Sequence, residues 1–422
     1  MNHFTRESVV VTGIGITSSI GQGRQEFEAA LMAGRHAFRV MQRPGRQKDS
    51  AFIGAELPPL RMAPALSTGA LRMISLSAQA ALVTVHEAWH DANLGDVDPS
   101  RIGLILGGSN FQQRELTLVH EAYADRVRFL RPTYALAFMD SDVCGVCTQQ
   151  FGIRGPAYTV GGACASGQLA VLQAMQAVSS GQVDACIAVG ALTDLSYWEC
   201  QALRSIGAMG SDRHADRPEL ACRPYDEQRD GFILGENCGA VVIERAGADR
   251  SGTRPYAALT GHAVVMDAHR DPDPSLEGEI KVIRDALARA GLAPKDIDYV
   301  NPHGTGSRVG DDIELRALAA SELGHAYINA TKSIVGHGFS AAGTVELIAI
   351  LVQMQASLLH PSRNLDAPIR PELNWVRERP IMHTIQNALN LSLGFGGVNT
   401  ALCLQRLPAD RVRGVSRVGS PA

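Results

Sequence analysis

The sequence predicts an α/β fold, and three observations lead to it. Short apolar runs bounded by glycine are separated by stretches with helical apolar spacing. The runs are apolar throughout instead of alternating with polar residues, as in strands buried on both faces. The same alternation recurs after residue 250, so βα units around a mainly parallel sheet are expected.

Taken in order, residues 8–11 form a β-branched run entering Gly13-Ile14-Gly15, which reads as a strand and a glycine turn. Residues 71–92 carry helical spacing and end at Asn93-Leu94-Gly95, a helix-stop signal. Residues 101–108 read as a strand, 161–181 as a glycine turn and helix, and 184–190 as the next strand. The second half gives strands at 256–265 and 297–300 and a helix at 278–290. A loop at 301–310 leads to a helix, a strand at 326–330 and a glycine-rich helix start at 336–343. Residues 387–393 and 399–404 close as a hairpin.

The length, 422 residues, exceeds one small core and suits two or three domains or two fused halves. The expected division is 1–250, 251–407 and a disordered tail at 408–422, with a polar link at 250–254. Apolar residues make up 45% of the chain and charged residues 19%, which excludes global disorder. A net charge of −4 argues against nucleic acid as the partner, because counterion release needs a basic surface. No stretch reaches the roughly 18 consecutive apolar residues of a spanning helix, and residues 1–7 open no export signal. Eight irregularly spaced cysteines make no disulfide framework. A cytoplasmic enzyme is expected.

Three motifs compete for attention and carry little. His86-Glu87-Ala88-Trp89-His90 matches H-E-x-x-H and admits a zinc-protease reading, but no third ligand follows. A solvated polar face is expected. Gly13-Ile14-Gly15 lacks the third glycine of a dinucleotide fingerprint, and Arg35 and His36 stand where an acid should hold the ribose. Cys144 and Cys147 have no second pair and read as core residues.

The strongest local signal is Gly161-Gly162-Ala163-Cys164-Ala165-Ser166-Gly167 before a helix. Small residues allow a sharp turn and close substrate approach, and a helix N-terminus stabilises a thiolate and can cradle an oxyanion. The other half adds His303, in Asn301-Pro302-His303-Gly304-Thr305-Gly306, and His337, in a segment running from Lys332 to Gly338. Glycines flank both histidines. Two neutral imidazoles can donate two hydrogen bonds to one thioester oxygen, which helps a carbanion form.

These residues resemble the β-ketoacyl-acyl-carrier-protein synthases of the thiolase-like condensing enzymes, elongating ketosynthases with a Cys-His-His triad. The matches run in order: VVVTGIGITSSIG, ACASG, SGQVDACIAVG, CRPYDEQRDGFILGENCGAVVIE, YVNPHGTGSRVGDDIE, TKSIVGHGFSAAGTVE and LSLGFGGVNTAL. They span residues 8–407. The resemblance implies a five-layered αβαβα architecture of two pseudo-symmetric halves and a homodimer. It implies Cys164 as nucleophile, and His303 and His337 as the pair that promotes malonyl decarboxylation and holds the enolate. Lys332 would support the second histidine, with Glu346 the buried acid of that network. Phe395 would be the gate whose N–H completes the oxyanion hole with that of Cys164, and Thr305 and Ser307 would line the phosphopantetheine arm. Departures are NPHGTGS for the usual NAHGTST, Leu393 where many members have Phe, and Val160-Gly161-Gly162 before the nucleophile. They point toward polyketide rather than housekeeping fatty-acid biosynthesis.

The implied reaction is decarboxylative condensation of an acyl group on Cys164 with malonyl-acyl carrier protein. Neither metal nor organic cofactor is implied, since phosphopantetheine arrives on the carrier. Two alternatives remain: a malonyl-carrier decarboxylase serving a β-branching cassette, and a non-catalytic partner subunit like the chain-length factors. The presence of Cys164 places both behind condensation.

Overall fold

The computed structural model describes residues 8–66, 74–247 and 254–408. Residues 1–7, nearly all of the 250–254 link, and the 408–422 tail beyond Pro408 lie outside them. The elements that build the site are β1 (Val9–Ser18), α1 (Leu76–Asp91), β2 (Ile102–Gly107), α2 (Ser141–Phe151), β3 (Ala157–Val160), α3 (Ser166–Ser179), β4 (Ala185–Gly190) and β5 (Asn237–Arg245). The second half supplies β6 (Ala257–Met266), α4 (Leu276–Ala290), β7 (Tyr299–Asn301), α5 (Arg308–Ala320), β8 (Tyr327–Ile328), α6 (Ala342–Ala356), β9 (Asn387–Gly394) and β10 (Val398–Gln405).

The strands follow one path, β8-β7-β9-β10-β6-β1-β5-β4-β2-β3, in an eleven-stranded sheet whose remaining member, Gly21–Gln22, pairs with the end of β1. Each half has the same order, with every number raised by five in the second. In each, the two outer pairings are parallel and the two inner ones antiparallel. Residues 9–11 of β1 join residues 257–259 of β6 antiparallel, linking the halves. The expected mainly parallel sheet is therefore corrected to a mixed one. A two-sided apolar run reports burial on both faces and does not report strand direction.

Helices α1 and α2 cover the first half-sheet outside, and α4 and α5 cover the second. Helices α3 and α6 pack on each other between the two half-sheets, giving five layers. The segment Phe339–Ala356 is long and apolar enough to cross a membrane by length and composition, although polar residues such as Glu346 and Gln353 interrupt it, and 83% of it is buried inside the protein. An inner-layer helix faces apolar neighbours on every side, so it is apolar all round.

Gly13 and Gly15 lie inside β1 and not in a turn. A Cβ on Gly15 would stand 2.0 Å from the Thr84 carbonyl oxygen, and one on Gly13 would stand 2.6 Å from that of Ala88. Both glycines admit α1 against the strand, which accounts for the false dinucleotide signal. Glu87 of the H-E-x-x-H motif accepts from the N–H groups of Arg24 (2.6 Å) and Ile16 (2.9 Å) through its two oxygens. It ties α1 to the strand and is engaged as no protease base would be. Cys144 and Cys147 are buried on α2, as expected, and all eight cysteines are free.

Candidate active site

The pseudo-symmetry brings corresponding positions of the two halves together. Cys164 follows β3 at the entry to α3, and His337 follows β8 ahead of α6. The chain reverses at Ala163, in the left-handed region (φ 48°), then makes one 3-10 turn through Cys164 into α3. Ser166 locks the turn, accepting from the Gly162 N–H (2.9 Å) and donating to the Ala163 carbonyl (2.7 Å). A Cβ on Gly394 would meet the Gly162 carbonyl oxygen at 2.4 Å, so glycine there lets the 394–397 loop lie against the nucleophile turn.

His337 is pinned through its backbone: its N–H donates to Ile233 (2.7 Å) and its carbonyl accepts from Gly235 (3.0 Å). Its Nε2 lies 3.1 Å from Cys164 Sγ. The rings of His303 and His337 stand nearly perpendicular at 5.4 Å, and Phe339 stacks on His337 at 4.9 Å. One ligand atom each of Cys164, His303 and His337 falls within 4.8 Å of the others. That donor set fits a soft divalent cation, which would consume the imidazole nitrogens.

Lys332 is buried. It donates to Glu346 Oε1 and to the His303 carbonyl, and its Nζ is 3.4 Å from His303 Nδ1. Lys332 thus supports the first histidine, where the resemblance pointed to the second. A donor at Nδ1 leaves the ring proton on Nε2, toward the cavity. Burial raises Glu346 to about 7, with Lys332 opposing. Burial, reinforced by Lys332, holds both histidines well below 6.5, so both are neutral at pH 7.

Burial also pushes the Cys164 thiol up to about 12, against Lys332 and the N–H groups of Cys164 and Phe395. The helix N-terminus was expected to lower it. Full desolvation of a thiolate beside two neutral rings outweighs that contribution. The same two N–H groups, beside the sulfur, are donors of the kind that can hold an oxyanion.

A cavity of about 480 Å³ reaches Cys164 and both histidines, and Thr305, Ser307, Leu393 and the partly exposed Phe395 line it. Ser307 Oγ caps α5 by accepting from Gly310 (3.1 Å), and Thr305 Oγ1 accepts from the Ser307 N–H (3.2 Å). Gly306 has φ +91°, and a Cβ there would sit 3.0 Å from the Gly231 carbonyl. The glycine in NPHGTGS therefore serves this loop conformation.

Three residues holding that loop went unassigned in the sequence. Glu314 accepts from the N–H groups of His303 (2.6 Å) and Gly304 (2.8 Å) and from the Tyr225 hydroxyl (2.5 Å). Asp311 accepts from the N–H groups of Thr305 (3.1 Å), Gly306 (3.0 Å) and Tyr225 (2.7 Å). Two acids three residues apart, directly after a glycine-rich loop, were the available signal.

Comparison with known proteins agrees with this geometry. The beta-ketoacyl synthase N-terminal domain matches residues 6–248 and the C-terminal domain matches residues 256–366. The chain is 64% identical over 400 residues to the polyketide biosynthesis malonyl-ACP decarboxylase PksF of Bacillus subtilis, covering 94% of this chain and 96% of that protein. It is 32% identical to a putative polyketide beta-ketoacyl synthase of Streptomyces halstedii, covering 96% and 99%. Among solved structures it resembles a beta-ketoacyl synthase from Burkholderia phymatum (TM-score 0.86, 27% identity, 95% and 100% covered). It also resembles the ishigamide ketosynthase/chain length factor (TM-score 0.85, 26% identity, 96% and 100% covered). With both domain families matched in order across most of its length, on a thiolase-like fold, this chain belongs to the beta-ketoacyl synthase family of acyl-transferring enzymes.

Proposed function

We propose that this protein is a malonyl-acyl-carrier-protein decarboxylase of polyketide biosynthesis, releasing carbon dioxide and leaving acetyl-carrier. The observation that carries the reading is the 64% identity, over nearly the full length of both chains, to a malonyl-ACP decarboxylase. It promotes the alternative that Cys164 had placed behind condensation.

The residues support the chemistry. The malonyl thioester enters on the carrier's phosphopantetheine arm along Thr305 and Ser307, with Phe395 at the gate. The Cα–carboxyl bond breaks, its electron pair becomes the enolate, and carbon dioxide leaves. The Nε2–H groups of His303 and His337 donate to the enolate oxygen, and a proton from water completes the acetyl group. Lys332 and Glu346 hold His303 in the required tautomer. The neutral Cys164 thiol puts no negative charge beside the enolate. No resident cofactor or metal takes part in these steps.

A second reading, condensation through an acyl-Cys164, is favoured by one contact, His337 Nε2 at 3.1 Å from the sulfur. There His337 takes the thiol proton as the acyl group transfers. Intact mass spectrometry of the carrier after incubation with malonyl-carrier and a panel of acyl-carriers separates the two. Acetyl-carrier without β-ketoacyl product supports decarboxylation, and β-ketoacyl-carrier overturns it.

A second copy of this chain completes the expected assembly. Val127, Phe129, Leu136, Phe138 and Met139 are exposed on one segment, and Tyr158 is exposed on the edge strand β3. An apolar patch beside an open strand edge suits a symmetric partner. Light scattering should give twice the chain mass; a monomer would contradict this.

A further inference from the structure

Behind the His303 loop, four carboxyl groups crowd a space that contains few cations. Glu279, on the first turn of α4, is 1% exposed, and neither of its oxygens has a hydrogen-bond partner among the described residues. Glu314 and Asp311 face it from α5, and Asp267 faces it from the end of β6. The Tyr225 ring, from the 222–233 loop, also comes close. The nearest cations are committed elsewhere. Arg229, 3.7 Å from Asp311, donates to the carbonyls of Ser307, Arg308 and Asp226, and Lys332, behind Glu314, pairs with Glu346. His269 lies 4.0 Å from Asp267.

The other three acids each hold part of the machinery. Glu314 and Asp311 fix the backbone of residues 303–306. Asp267 accepts from Asn399 Nδ2 (2.6 Å) and the Ser275 N–H (3.3 Å), and its own N–H donates to the Gly397 carbonyl (2.8 Å). It therefore anchors the loop that carries Phe395. Those three are satisfied by donors, and Glu279 is not.

We propose that Glu279 is a positioning residue: a neutral carboxylic acid that lets the anchors of the His303 loop and of the Phe395 loop pack together, and whose ionisation drives them apart. Burial and the neighbouring carboxylates raise its pKa well above the usual carboxylate value. An ionised Glu279 would add a charge against Glu314 on one side and Asp267 on the other, displacing His303 and Phe395 at once. The effect on activity rests on the proposed decarboxylation; the effect on stability does not.

The test compares Glu279→Gln and Glu279→Met with wild type across pH 6 to 9.5, reading carbon dioxide release from malonyl-carrier and thermal melting. Wild type should lose activity as Glu279 ionises, falling about tenfold per pH unit above that point. Both variants should match wild type at pH 6 and lack that fall. The melting signs follow from linkage. An acid whose pKa is raised by folding costs stability as pH rises from its unfolded value toward its folded one. Both variants should therefore melt progressively higher than wild type as pH rises. A wild type without the alkaline fall, or a Glu279→Gln that shares it, overturns the proposal. So does a Glu279→Gln that is folded and inactive at pH 6. Failure of both variants to fold overturns it too, because a side chain already neutral tolerates a neutral amide of its own shape. If wild type releases no carbon dioxide, the decarboxylase reading fails, and the melting comparison still decides the role of Glu279.

Discussion

Replacing Lys332 by Met removes the donor shared by Glu346 and His303 without opening a cavity. The pair is buried on both sides, and removing one partner of such a pair typically costs about 3–5 kcal/mol. Its pH dependence can be worked out. In the wild type Glu346 ionises near 7, and without the lysine that value moves higher. At pH 6 both folded proteins hold the proton, so the variant's deficit contains no ionisation difference. At pH 8 the wild type has released the proton and the variant has not, which adds about 1 kcal/mol for the one pH unit above 7. We expect a loss of about 4 kcal/mol at pH 8 and about 3 kcal/mol at pH 6, read by urea denaturation. The double variant Lys332→Met/Glu346→Met should recover most of the stability, as buried pairs replaced by apolar residues do. It should not recover decarboxylation, expected to fall about a hundredfold in both variants because His303 loses the donor that sets its tautomer. A Lys332→Met as stable as wild type at both pH values, or a double variant with wild-type activity, would refute the reasoning.

His337→Ala should slow decarboxylation about a hundredfold, measured by carbon dioxide release; a wild-type rate would remove His337 from the enolate site. Zinc at micromolar concentration should inhibit by occupying Cys164, His303 and His337, and chelator should reverse it; an unchanged rate would show the nitrogens are not available together. Iodoacetamide should label Cys164 before Cys144 or Cys147, with the rate rising with pH, because Cys164 lines the cavity although its thiol sits at about 12; peptide mapping that finds Cys144 first would count against it. Buried His360, lowered to about 4, binds its proton only in the unfolded chain between pH 6.5 and 4. It should cost about 3 kcal/mol over that fall in pH, and His360→Gln should lose less stability on acidification.

Much of the site was legible because its chemistry is local in sequence. A cysteine among small residues before a helix, and two histidines between glycines, each announce a backbone that must turn sharply beside a cavity. The supports were less legible because their partners are distant or are backbone groups. Glu314 and Asp311 act on N–H groups that every residue has, and Tyr225 reaches Glu314 across 89 residues. Strand direction was misjudged for a related reason: β5 and β10 are apolar like the strands on either side of them and run antiparallel to both. The cysteine's ionisation could not be read from its place at a helix start, because burial by the opposite half of the fold decides it.

The central claim is that two histidines and an oxyanion site decarboxylate a malonyl thioester without a covalent acyl-enzyme. It is tested most directly by Cys164→Ala incubated with malonyl-carrier, following carbon dioxide and carrier mass together. The account predicts that wild type and variant both release carbon dioxide and accumulate acetyl-carrier, with no β-ketoacyl product from either. A wild type that makes β-ketoacyl-carrier, with a variant that makes none, would contradict it and establish condensation through Cys164.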